Sequence, residues 1–231
     1  MAQPPSAPLF GRILFLGLLA LGLRAEIVLQ EKVQPLPFMH QGPFVRTGDG
    51  AIWGMDSRGA LISKDEGRTW STRTIFDPLR FEPSGERALL RTREGVILYA
   101  FLNRKELRFN WDDQKGGPQA DCRLPVYLLR SSDDGATWAA PEMLQDGWCG
   151  AVRQMIRLRS GRILLICQQA KANPARHVTI NHFSDDLGQT WRPSEVIDMG
   201  AAGNYRDSGR GITASTHGGA IEGTVLEKSN G

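Results

Sequence analysis

One octapeptide, S-x-D-x-G-x-T-W, occurs three times in the chain: Ser63-Lys-Asp65-Glu-Gly67-Arg-Thr69-Trp70, Ser131-Ser-Asp133-Asp-Gly135-Ala-Thr137-Trp138 and Ser184-Asp-Asp186-Leu-Gly188-Gln-Thr190-Trp191. Each repeated letter has a use in a tight turn. Ser and Asp side chains bond the turn's own amides, Gly admits positive φ, and Trp supplies a large apolar plug. The serines at 63, 131 and 184 are 68 and 53 residues apart. That spacing suits the blades of repeat propellers, about 40–50 residues each, carrying loop insertions.

A weaker repeat precedes two of the octapeptides: Leu90-Arg-Thr-Arg-Glu-Gly95-Val-Ile-Leu98 and Ile156-Arg-Leu-Arg-Ser-Gly161-Arg-Ile-Leu164. Both read as strand, glycine turn, strand. A third copy begins at Val225 and reaches its turn at Gly231. The runs before the octapeptides, Ala60–Ser63, Val126–Arg130 and Val178–Phe183, are short and β-rich. No 3.6-residue period appears after the N-terminal segment, so an all-β chain is expected. The repeats divide it into blades at about 45–78, 85–144 and 151–199, with the next starting in 217–231.

An uncharged apolar run, Ile13 to Leu23, follows Arg12 and precedes Arg24-Ala25-Glu26. This is the pattern of a signal peptide, residues 1–25, leaving 26–231 as a secreted, periplasmic or cell-surface domain. An uncleaved anchor is the alternative. As a helix the run would reach only about 16 Å, too short to span a bilayer. A net charge of +3, evenly spread, gives no basis for a nucleic-acid partner. The three cysteines, Cys122, Cys149 and Cys167, allow a Cys122–Cys149 bridge or three buried thiols. They form no metal-binding pattern, and neither a metal nor another cofactor is expected.

With these boxes the sequence resembles the BNR or Asp-box proteins, and among them the sialidases. The resemblance implies a six-bladed propeller of which this chain carries about three blades and the start of a fourth, a fragment too open at its edges to fold stably or act alone. It implies an exo-α-sialidase-like glycoside hydrolase acting on terminal sialic acid or a related acidic sugar. Such enzymes bind the sugar carboxylate with arginines and use a tyrosine nucleophile activated by Glu, with an Asp as acid/base. Asp121, nine residues before Arg130-Ser131, matches the acid/base, with Asp112 and Asp113 as competitors. Glu222, ahead of Val225-Leu-Glu227, matches the activating Glu. Glu227 reads as a surface contact. Arg87 occupies the region of the first carboxylate-binding arginine, although the family's Arg-Ile-Pro is absent, and His217 would face the same pocket.

The nucleophilic tyrosine and the remaining arginines would follow Gly231. Tyr99 and Tyr127 read as packed strand residues. Arg206 and Arg210 lie in a polar loop that could line the mouth. Two other readings stand beside this one: a non-catalytic propeller binding glycan or protein at the cell surface, and a hydrolase of neutral glycans needing two carboxylates and no arginine cluster.

Overall fold

The computed structural model describes residues 41–112, 117–172, 175–199, 220 and 222–229. They build three four-stranded antiparallel sheets. The first holds β1 (Phe44–Arg46), β2 (Ile52–Asp56), β3 (Gly59–Ser63) and β4 (Ser71–Arg73) in sequence order. The second contains β5 (Pro83–Arg91) and β6 (Ile97–Asn103), then a loop bearing the small hairpin β7 (Trp111–Asp112) and β8 (Gly117–Pro118), then β9 (Val126–Ser131) and β10 (Glu142–Gln145). The third holds β11 (Val152–Arg157), β12 (Ile163–Ala172), β13 (Ala175–Ser184) and β14 (Arg192–Pro193). Among the described residues there is no α-helix, only one 3₁₀ turn at Arg104–Glu106.

First strands sit beside one another, β5 touching both β1 and β11. Sheets stacked in this way leave only short edges, which is how a propeller manages its strands. Strand β6 shows why the stack holds. All seven of its residues are buried. Ile97, Tyr99 and Phe101 join a core with Trp53 and Met55 of the first sheet, while Leu98, Ala100 and Leu102 join one with Ile163 and Leu165 of the third. A strand covered on both faces reads as a continuous apolar run instead of an alternating one.

The octapeptides form three superimposable turns. In the second, Gly135 N–H and Asp133 N–H both point at Ser131 Oγ (2.8 and 3.4 Å), and Thr137 N–H donates to Asp133 Oδ1 at 2.8 Å. The tryptophan does more than fill space: its indole N–H donates to the Gly135 carbonyl at 3.2 Å, and Trp70 and Trp191 repeat this at Gly67 and Gly188. Hydrogen bonds from the Thr hydroxyl and amide hold Asp65, Asp133 and Asp186 down to about 2. Positive φ falls on two successive residues, the glycine and the one before it: Glu66, Asp134 and Leu187 at 57–60°. Only the glycine was expected there.

These turns also join the sheets. A Cβ on Gly135 would lie 2.7 Å from the Trp53 ring of the preceding sheet, and one on Gly188 2.6 Å from Leu98. Arg73 donates to the Gly135 carbonyl at 2.9 Å and Arg130 to the Leu187 carbonyl at 3.0 Å. All three cysteines are free and buried, so the Cys122–Cys149 alternative gives way to the other reading. Cys149 donates to the Ala151 carbonyl at 3.2 Å and is hydrogen-bonded to Cys167.

Candidate functional site

Sheet polarity decides where chemistry can gather. In the second sheet the octapeptide begins at Ser131, which pairs with Ile97 beside Arg91. The opposite end therefore carries the start of β5, the end of β6 and the loop 104–125. Glu86, Arg87 and Asp121 lie at that end. So do Arg153, near the start of β11, and Glu222, two residues after Ala220, whose N–H donates to the His177 carbonyl at 3.0 Å.

The strand–turn–strand repeat accounts for this convergence. Arg87 stands eight residues before Gly95, and Arg153 stands eight before Gly161. Glu86 and Glu222 likewise stand nine before Gly95 and Gly231. Positions one residue apart in the repeat meet, Arg153 eight before its glycine against glutamates nine before theirs. Arg153 Nη1 reaches Glu86 at 3.3 Å and its Nη2 contacts Glu222, so one guanidinium bridges two carboxylates from flanking repeats. Sequence reasoning missed Arg153, although its register with Arg87 was available as a signal. Gly223 occupies the corresponding third position, and a Cβ there would come within 3.0 Å of Thr179. Glu222 itself has φ +55°, an uncommon conformation for a residue with a Cβ.

Arg87 differs from Arg153. It is half-buried, and its guanidinium meets only carbonyls, Ser84 O at 3.2 Å and Gln41 O at 3.4 Å. Its Nε has no hydrogen-bond partner among the described residues, and neither does the buried Tyr99 hydroxyl. Burial raises the Tyr99 hydroxyl well above the ordinary tyrosine range, against the pull of Arg87. That keeps it neutral beside the cation. Tyr127, half-buried in β9, is pushed up to about 12 by burial and by a hydrogen bond with Glu106.

Asp121 is exposed, with one carboxylate oxygen accepting from Asn110 Nδ2 at 3.0 Å. It shares the end with Glu222 but makes no contact with the Arg153 group among the described interactions. Asp112 belongs to β7, whereas Asp113, Tyr205, Arg206, Arg210 and His217 lie outside the described residues. Glu227 accepts from the Arg159 amide at 3.1 Å and ion-pairs with its side chain at 3.4 Å, a surface contact.

Two larger clefts, of 370 and 390 Å³, lie at the octapeptide end. Their size does not make them the better site. In the second of them Arg91 is bound by Asp134, Arg157 by Glu94 and Arg159 by Glu227, while the fourth arginine, Arg93, is exposed to solvent. A 260 Å³ cleft at the opposite end is lined by Lys105, Glu106, Leu107, Arg108 and Arg123.

Residues 110–231 match the BNR repeat-like domain. No curated protein matches the chain. Similar solved structures include a protein of unknown function from Dyadobacter fermentans, with 21% identity, a TM-score of 0.47, and coverage of 65% of this chain and 52% of that one. A Hadza microbial sialidase has 20% identity and a TM-score of 0.43 over 67% and 37%. A Penicillium chrysogenum α-L-arabinanase has 17% identity and a TM-score of 0.46 over 67% and 47%. The chain thus spans about half, or less, of the structures it resembles. Its matched segment exceeds half of its own length, and the chain belongs to the BNR repeat-like family.

Proposed function

We propose that this chain supplies part of the active site of an exported glycoside hydrolase, a six-bladed propeller that releases terminal sialic acid or a related acidic sugar. The observation that carries this reading is Arg87, a half-buried guanidinium with no carboxylate partner among the described residues and an unsatisfied Nε. A half-buried guanidinium that no carboxylate engages among the described residues is suited to a ligand that brings one. The carboxylate on the anomeric carbon of a sialic acid is such a group, and a charge-assisted pair to it is stronger than a neutral hydrogen bond.

In this reading Arg87 orients the sugar and Asp121 exchanges a proton with the leaving oxygen. Glu222, fixed by Arg153, is the base that prepares the nucleophile. A carboxylate nucleophile would be repelled by the sugar's own carboxylate, so a tyrosine fits the task better.

The test is hydrolysis of a fluorogenic sialoside by the full-length protein containing this chain, with a fluorogenic α-L-arabinofuranoside as neutral control. Turnover of the sialoside alone is expected. Arg87→Gln should raise KM about 50-fold, the loss of one charged hydrogen bond, and Asp121→Ala should lower kcat by about two orders of magnitude. Turnover of only the neutral substrate would replace this reading with that of a neutral glycosidase. Binding of sialyl glycans without turnover of either substrate would favour a non-catalytic propeller.

A further inference from the structure

Cys149 and Cys167 are 0% and 2% exposed and belong to one apolar core. Strand pairing brings them together. Val152 of β11 is the register partner of Cys167 in β12. Ahead of Val152 the backbone goes on bonding to the same strand: Gln168 N–H donates to Ala151 O at 3.0 Å and Ala170 N–H to Trp148 O at 3.3 Å. Residues 148–151 therefore run beside 168–170. The Cys149 thiol lies 3.2 Å from Ala151 O, on the way to Cys167, with which it is hydrogen-bonded. Cys122 stands apart, its thiol bonded to the Asn110 backbone.

The segment before Cys149 also carries the loop that holds Asp121. Cys149 N–H donates to Leu124 O at 3.1 Å, and Leu124 N–H donates to Gly147 O at 2.9 Å. Arg123, next to Leu124, exchanges two N–H···O bonds of 2.8 Å with Arg108 across the base of that loop. A covalent link from Cys149 to β12 would thus fasten the loop base to the third sheet.

We propose that Cys149 and Cys167, thiols in this structure, are a disulfide-forming pair that closes under oxidising conditions and anchors the base of the Asp121 loop, leaving Cys122 reduced. The oxidant is a small disulfide such as glutathione disulfide. One protein thiolate displaces a glutathione to give a mixed disulfide, and the second displaces the other glutathione. Two protein thiols lose two electrons, and two glutathione thiols are released. The Cys149 contact and burial push the Cys167 thiol well above its ordinary range, so the closed core offers no thiolate there and the exchange belongs to the chain before it closes. The pairing stands on this geometry; that the protein meets such an oxidant rests on the export proposed above.

The test uses the full-length protein in two preparations. One is reduced, unfolded and refolded with glutathione disulfide; the other is produced with its N-terminal segment in place and collected outside the cytoplasm. Each is alkylated in denaturant without reductant and mapped by mass spectrometry. In both, Cys122 is expected to be alkylated and the peptides of Cys149 and Cys167 to be joined until a reductant is added. Trypsin should cut the folded, joined protein after Arg104, Lys105 or Arg108 about tenfold more slowly than protein refolded without oxidant. Alkylation of both Cys149 and Cys167 after oxidative refolding, or a link from Cys122 to either, would overturn the pair, and equal cleavage would overturn the anchoring. Joined peptides in the refolded preparation with free thiols in the other would instead count against export and leave the pair standing.

Discussion

The two ends of the sheets are built on opposite plans. At the octapeptide end the same local turn is made three times, each with its hydrogen bonds closed within eight residues, and in the second and third the glycine lies against the preceding sheet. At the other end the described loops show no such repeat; Arg153 bridges Glu86 and Glu222, and Arg87, next to Glu86 in β5, keeps an unsatisfied Nε. Repetition with full satisfaction serves stability. Variation with unmet demand serves binding.

If this division holds, the largest stability loss should come from Gly135→Ala at the octapeptide end. Its φ of +92° strains any L residue, and the added methyl would meet the Trp53 ring, so a loss of about 4 kcal/mol is expected by urea unfolding. A loss below 1 kcal/mol would show that the contact between sheets is not tight.

Acid should act next, between the two ends. His182 is buried, hydrogen-bonded to Gln145 at 3.0 Å, and lowered by burial to about 4 from an ordinary 6.5. The unfolded chain binds this proton first, so His182 costs nothing above pH 6.5 and removes up to about 3 kcal/mol as the pH falls to 4. The octapeptide aspartates, also depressed, stabilise the fold above their ordinary value of 3.8 and lose that contribution as the pH falls from there towards 2. Unfolding at pH 7, 5 and 4 should thus follow the histidine first. A flat profile down to pH 4 would contradict its buried neutral state.

Ser131→Ala should be milder, about 2 kcal/mol. It strands the Gly135 N–H beneath the turn but leaves the Thr and Trp bonds in place.

The same contrast explains what could be read in advance. An eight-residue turn is contiguous, so Ser, Asp, Gly, Thr and Trp declared it, and the strands before it and the hairpins at Gly95 and Gly161 followed from local pattern. The left-handed residue ahead of each glycine stayed hidden because Glu, Asp and Leu fill that place, and of these only Asp is enriched at positive φ. Arg153 was overlooked for a different reason. Its partners lie on two other repeats, and only alignment of the repeats shows that Glu86 and Glu222 share a position, one residue ahead of that of Arg153. Asp121 is singled out only by the resemblance to the sialidases, and its bond to Asn110 depends on how a long loop folds back, which local pattern does not specify.

The most direct test of the division is thermal unfolding of the full-length protein with increasing N-acetylneuraminic acid, repeated for Arg87→Gln and Ser131→Ala. The account predicts that ligand raises Tm in the unmodified protein and, from a lower baseline, in Ser131→Ala, but not in Arg87→Gln, whose own Tm stays close to that of the parent. A ligand-induced rise that survives in Arg87→Gln, or that disappears in Ser131→Ala while the protein is still folded, would contradict it.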